Sequence, residues 1–291
     1  MTVCRNADKI KNAVRIYEPR RVYYFYDKGS IAMNSSEHRS TARALDVLQL
    51  VAASQDGYSL SQIAEALEAP KSSLFPIVHT LLERRFLSYD AVGQRYRTGS
   101  AAFQVGMSFL NRIDALKQVE KEMDLIVEQC SETVHFAVLD CGNIVYLLKK
   151  DSPQAIRMTS TVGLSLPAYG TGIGKALLID HDLDALRVLY PEGLQPLTEN
   201  TITDFEKLFA QLKEFRKDDV SYEYEESNLH LRCVGVALRQ HGHIVAGLSV
   251  AVPIFRCDDE KIAYIRGILL GAKRRLELLF REVKLDFAPE A

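Results

Sequence analysis

The 291-residue sequence predicts two folded domains of different class: an N-terminal winged helix-turn-helix, mostly α with a β wing, joined by a linker helix to a larger C-terminal α+β domain. Three observations predict it. The length exceeds what one hydrophobic core usually serves, roughly 100–200 residues per domain. Between residues 39 and 98, three short amphipathic helical patterns run into a basic hairpin pattern. Beyond residue 130, strand patterns give way to helical ones and then return, the order of an antiparallel sheet flanked by helices. The expected organisation is a leader or arm over 1–38, the winged helix-turn-helix over 39–98, the linker helix over 99–113, the α+β domain over 114–285 and a tail over 286–291.

Composition narrows the class of molecule. Apolar residues make up 47% and charged residues 25% of the chain, the balance of a soluble globular protein. No run approaches the roughly 18 uninterrupted apolar residues of a membrane span, so no membrane partner is expected. Arg5, Lys9, Lys11 and Arg15 interrupt the N-terminus before a secretory signal core can form. The 5 cysteines (Cys4, Cys130, Cys141, Cys233, Cys257) are odd in number and scattered, with no C-x-x-C pair. That argues against a zinc site or a disulfide framework and for a reducing, cytoplasmic compartment. No metal or other cofactor is expected. A net charge of -2 gives no global attraction to nucleic acid, so any such attraction is local.

Residues 1–38 show neither helical nor strand period. Their basic residues (Arg5, Lys9, Lys11, Arg15, Arg20, Arg21, Lys28) stand against Asp8, Glu18, Asp27 and Glu37. They read as a loose leader, or as residues upstream of a start at Met33; the alternative is a basic arm that touches DNA. From Ser40, Ala44, Val47, Leu48 and Val51 recur at helical spacing, with Thr41 as the expected cap. After Gln55-Asp56-Gly57 comes a second helix on Leu60, Ile63, Ala64 and Leu67, capped by Ser59 or Ser61. Glu68-Ala69-Pro70 then leads into a third, with Leu74, Ile77, Val78, Leu81 and Leu82 on one face. Two short helices joined by so tight a turn form a helix-turn-helix.

The opposite face of the third helix carries Lys71, Ser72, Ser73, Pro76, His79 and Thr80. Small hydroxyls at a helix start allow close approach to a groove, and the bare N–H groups there favour a phosphate. Serines at a helix start are equally explained as capping, so the whole three-helix unit carries the inference. Pro76 opposes it: inside a helix it removes a hydrogen bond and typically costs about 3 kcal/mol, so either a kink or a displaced start is expected. Phe86–Tyr89 and Gln94–Arg97 flank Ala91-Val92-Gly93 as a hairpin. Arg95 and Arg97 lie two apart and share a strand face; they are assigned to phosphate contact, with solvated surface arginines as the alternative.

Ala102, Val105, Gly106, Phe109 and Ile113 fall on one helical face beyond the wing, a stripe that expects cover from a second subunit or a neighbouring domain. Leu116, Val119, Met123, Ile126, Val127 and Cys130 read as a core-facing helix. Strands follow at 133–139 and 144–150 about the turn Asp140-Cys141-Gly142-Asn143, with its Gly-Asn signal, then a third strand at 155–159. Helical patterns fill 172–217, strands return near 220–224, 233–239 and 244–252, and a helix spans 258–281. Gly170-Thr171-Gly172-Ile173-Gly174-Lys175-Ala176 imitates a phosphate loop but fails its spacing, and Ala176 stands where a hydroxyl must reach magnesium. Read alone, the glycines serve either as an anion-gripping helix start or as a close helix–sheet contact. A lone cysteine such as Cys233 in an apolar strand is usually a small hydrophobe; a nucleophile would require a base, for which His135 and His230 are the candidates.

Taken in order, STARALDVLQLV (40–51), LSQIAEAL (60–67), PKSSL (70–74), LLERRFL (81–87), YRTG (96–99), AFQVGMSFL (102–110), LPAYGTGIGKALL (166–178) and LRCVGVAL (231–238) resemble the IclR family of bacterial regulators over about residues 39–285. The resemblance implies a GAF-like fold for the C-terminal domain, and homodimers or dimers of dimers on double-stranded DNA carrying palindromic operators. It implies that backbone amides of Gly172 and Ile173 hold the carboxylate of a small organic acid effector, with Met158, Glu223, Leu231, Cys233 and Ser249 around it. Three departures, Glu223 for a shorter aspartate, Ala251 for serine and Tyr169 for histidine, point to a different and bulkier acid. Phe75 and Pro76 depart from the polar or basic residues common in the third helix. The expected function is a transcriptional regulator, a repressor before an activator, with operator affinity set by the acid. The alternatives are a helix-turn-helix used only for protein contact and oligomerisation, and an enzyme built on the C-terminal domain.

Overall fold

The computed structural model describes residues 38–54, 56–110 and 115–283; the leader up to residue 37, residues 111–113 of the expected linker and the tail 286–291 lie outside the described residues. The chain divides into two compact units between Gly106 and Met107.

In the first unit, α1 (Arg39–Ala52), α2 (Leu60–Ala66) and α3 (Lys71–Glu83) precede the hairpin β1 (Leu87–Asp90) and β2 (Arg95–Thr98). None of these helices can bury its stripe alone, and Val47, Val51, Ile63, Leu74, Val78 and Leu87 pool into one core. Ser59 caps α2 in a reciprocal box with Gln62, which leaves Ser61 inside the helix. Thr41 is not the cap of α1. His38 occupies that position and makes no side-chain capping bond; the Thr41 hydroxyl instead meets the His38 ring at 2.9 Å. The strands pair antiparallel from Leu87↔Thr98 to Asp90↔Arg95, and the Asp90 carboxylate accepts from the turn amides of Val92 and Gly93 at 3.0 and 3.2 Å.

Pro76 does not displace the start of α3, which runs from Lys71 through it. The bond that proline removes is the one to the carbonyl four residues back, that of Ser72. Ser72 is exposed, so water can satisfy that oxygen and the cost falls below that of a buried break. Beyond the wing, α4 (Ser100–Leu110) has no buried side chain among its described ones, and Phe103, Val105 and Phe109 are exposed.

The second unit opens with α5 (Leu116–Cys130), followed by β3 (Thr133–Asp140), β4 (Asn143–Lys150) and β5 (Ser165–Pro167). Then come α6 (Gly172–Leu178), α7 (Leu183–Leu189) and α8 (Phe205–Phe215), and finally β6 (Val220–Tyr224), β7 (Leu231–Gln240), β8 (His243–Pro253) and α9 (Asp259–Phe280). The 6-stranded sheet has the order β5-β4-β3-β8-β7-β6, antiparallel throughout. Its faces differ in chemistry because strand side chains alternate. Val134, Phe136, Val220, Val234, Val236, Leu248 and Val250 form one face and pack with Met123, Ile126, Ile265 and Leu269 of α5 and α9. The other face carries small and polar residues and receives α6, whose flank packs with α7 and α8.

One local expectation is corrected. Residues 155–159 form no strand, and the strand that pairs with β4 is β5. Side chains from elsewhere bind carbonyls in and just after that segment: Arg256 Nη1 donates to Ile156 O at 2.8 Å and Lys149 Nζ to Ser160 O at 2.7 Å. The β3–β4 turn lies where expected, at Asp140-Cys141-Gly142-Asn143, with Cys141 and Gly142 at its centre at φ 44 and 82°. Two positive φ values suit the right-handed twist of a tight hairpin.

Candidate functional site

On α3, Lys71, Ser72, His79 and Thr80 lie on the exposed face and Ser73 is half-buried. The hydroxyl hydrogens are already used: Ser73 Oγ donates to Pro70 O and Thr80 Oγ1 to Pro76 O, both at 2.8 Å. These two side chains therefore present lone pairs outward and act as acceptors. His79 Nδ1 lies 3.6 Å from Glu83 Oε1. The wing arginines separate in role. Arg97 is exposed, with Asp90 Oδ2 at 3.4 Å, whereas Arg95 is half-buried and its Nη1 donates to Gly57 O at 2.9 Å. Arg95 braces the hairpin against the loop before α2, and Arg97 is the one that faces water.

In the second unit the glycine-rich segment starts α6. Thr171 caps it, accepting from Gly174 N at 3.0 Å. A Cβ on Gly172 would fall 2.8 Å from Cys233 Cβ, so the helix start rests directly on β7. Ser221 Oγ donates to Gly172 O at 2.6 Å and fixes it there. The close helix–sheet contact is thus present, and the first amides of α6, as of any helix, lack an acceptor within it. The Ile173 side chain is buried and lies against Gly247 of β8, where an added Cβ would come within 2.7 Å of it.

The remaining candidates gather on the same sheet face. Met158 packs on Leu231, Cys233 and Ala251; Glu223 pairs across β6–β7 with Cys233, and Ser249 pairs with Gly235 one pleat away. Glu223 is fully buried. Its Oε1 accepts from the amides of Glu226 and Ser227 at 2.5 and 2.9 Å; Oε2 meets no N–H or O–H donor, and the Cys233 thiol is a further hydrogen-bonding neighbour of this carboxyl group. Burial raises its pKa above the usual carboxylate range in spite of those bonds. Burial, then the Glu223 carboxylate, pushes the Cys233 thiol well up, which is the opposite of nucleophile activation.

Neither histidine supplies a base to that thiol. His135 Nε2 meets Ser160 Oγ at 2.7 Å, its ring packs 4.4 Å from Tyr146, and burial followed by the Lys149 charge pushes its pKa down to about 3. His230 is exposed beside Glu225. Lys175, which sits where a phosphate-loop lysine would, is fully buried in an ion pair with Glu226. Its pKa falls through desolvation while Glu226 opposes the shift. The Tyr169 hydroxyl is held by Gln195, donating to its carbonyl at 2.8 Å and accepting from its amide at 2.9 Å. Sequence reasoning missed Tyr146, Ser160 and Glu226 altogether. The alternation of Thr133 and His135 with Val134 and Phe136 in β3 was the available signal for a polar face.

A helix-turn-helix with a cationic wing, joined to an α+β unit that keeps a polar cluster inside, defines a DNA-binding transcription regulator with a sensing domain. Residues 40–91 match the IclR helix-turn-helix domain and residues 107–277 the bacterial transcriptional regulator IclR C-terminal domain, and the chain belongs to the IclR family. The HTH-type transcriptional regulator KdgR of Escherichia coli is 27% identical over 240 residues, 81% of this chain and 90% of that protein. The crystal structure of Thermotoga maritima IclR superposes with a TM-score of 0.65 at 27% identity, covering 84% of this chain and 99% of that one. An IclR homologue from Microbacterium hydrocarbonoxydans, crystallised with 4-hydroxybenzoate, shares the fold at a TM-score of 0.70 and 20% identity, over 84% of this chain and 99% of that one. The protein is accordingly a DNA-binding regulator and not an enzyme. Among the described residues no helix is long and apolar enough to cross a membrane.

Proposed function

We propose that residues 39–98 bind a palindromic operator, that a small organic acid binds on the polar sheet face within 114–285, and that a linker over 99–113 couples the two. The observation that carries the ligand half is Glu223, a buried carboxyl group with one oxygen that meets no N–H or O–H donor, beside the glycine start of α6. A buried polar atom without such a donor costs about 1–3 kcal/mol, and a ligand donor would recover that. The amides of Gly172 and Ile173 would take the carboxylate. Glu223, Cys233 and Ser249 would meet its polar end, and Met158 and Leu231 its apolar body. The exposed apolar side chains Phe103, Val105 and Phe109 of α4 favour a homodimer, because a second copy would cover them. Repression is the mode in which the acid releases the operator.

The DNA half rests on Lys71, Ser72, Ser73, His79 and Thr80 at the recognition helix and Arg97 on the wing, with Arg95 acting through the wing's position. A thermal-shift screen of small carboxylates that includes 4-hydroxybenzoate tests the ligand half, since a ligand bound only by the folded state raises Tm. The expected result is a shift with at least one acid, abolished by Gly172→Ala. No shift across the panel, or one that survives Gly172→Ala, contradicts the placement.

A further inference from the structure

Phe75 is 54% exposed on α3 and is absent from the side chains that pack on the first unit's core. Leu74 and Val78 face inward, which puts Phe75 on the outer side of the helix. Pro76 beside it is exposed as well, and His79 one turn on lies 5.9 Å from the Phe75 ring. The middle of the outer face is therefore apolar, with Lys71 and Ser72 before it and Thr80 after it. A single exposed apolar residue usually needs no explanation. This one occupies the N-terminal half of the second helix of a helix-turn-helix, the part that meets base edges in the major groove. Those edges offer a single apolar group, the C5 methyl of thymine.

We propose that Phe75, supported by Pro76, reads a thymine by packing on its C5 methyl and so fixes an A·T pair in each half-site; this rests on α3 being the recognition helix. The polar neighbours fit that role. Ser73 and Thr80 have spent their hydroxyl hydrogens on backbone carbonyls, so they can accept from the amino groups of adenine or cytosine in adjoining pairs. The Phe75 ring can donate nothing, and its place at the centre of the face makes the apolar contact the discriminating one.

The test uses the full chain. Duplexes are enriched from a randomised library, and each thymine of the enriched half-site is replaced in turn by deoxyuridine, which removes only the methyl. The expected result is one thymine per half-site whose replacement weakens wild-type binding roughly four-fold, the value of one buried methyl-sized group. Phe75→Ala should bind more weakly overall and show no further loss at that position. Wild-type affinity unchanged by deoxyuridine at every thymine, or Phe75→Ala as sensitive as wild type, overturns the proposal while leaving DNA binding intact. Failure to enrich any duplex removes the recognition-helix reading, and this proposal with it. The deoxyuridine arm alters only the DNA, so it stands even if the variant folds poorly.

Discussion

Lys175→Met should destabilise the second unit by about 3–5 kcal/mol, because it leaves Glu226 buried without its counter-charge. The lysine is completely buried and the Glu226 side chain only 5% exposed, so water cannot take over the missing interaction. Glu226 would keep one distant donor, the Ile202 amide at 3.4 Å from Oε2, too little to stabilise a full charge. For a unit of this size each kcal/mol moves Tm by roughly 2–4 °C, which places the drop at about 6–20 °C. Urea unfolding followed by circular dichroism at neutral pH reads the same loss as a lower midpoint with unchanged slope. Lys175→Met combined with Glu226→Gln removes both charges and keeps an acceptor for Ile202, and it should recover about half the loss or more. A single variant within about 1 kcal/mol of wild type, or a double variant no more stable than the single, would refute the ion pair as what holds α6 to the loop after β6.

Further outcomes follow from the same cluster and from the wing. Gly172→Ala should cost about 1–3 kcal/mol by overpacking against Cys233, measured by thermal unfolding; no loss would show that α6 yields easily. Glu223→Gln should become progressively more stable than wild type as pH rises above the ordinary glutamate value of 4.5. The buried carboxyl holds its proton more tightly than the unfolded chain does, so the stability it contributes is complete at low pH and lost as pH climbs. Within that window the difference grows by about 1.4 kcal/mol per pH unit, and a Tm difference constant between pH 5 and 8 would contradict it. Arg97→Ala should weaken DNA binding whatever the sequence and lower the slope of log affinity against log salt by about 1. Arg95→Ala should instead lower stability, through the lost bond to Gly57 O.

The parts of the fold governed by local periodicity were legible in the sequence. The stripe Val47–Val51, the serine cap of α2, the wing strands and the strand segments that became β7 and β8 are patterns within one element, and each appears within a residue or two of where the residues place it. What escaped depends on partners distant in the chain. Lys175 and Glu226 stand 51 positions apart, so a lysine that resembled a phosphate ligand is an internal strut. Residues 155–159 alternate like a strand, yet Arg256 and Lys149 take carbonyls of residues 156 and 160 and the ladder forms at Ser165–Pro167 instead. Arg95 and Arg97 look equivalent by spacing, and only the fold brings Gly57 to one of them. The candidate acid site was named through family resemblance; its Glu223 oxygen without an N–H or O–H donor is a property of three-dimensional packing that no linear motif encodes.

Coupling between the two sites is tested most directly by titrating the full chain onto its enriched duplex at fixed salt, with and without an acid that raises Tm. The predicted result is a change in DNA affinity of roughly five-fold or more, and an equal change in acid affinity when DNA is bound, as linkage requires. An acid that binds and stabilises the protein yet leaves DNA affinity unchanged would contradict control of the operator from the C-terminal unit.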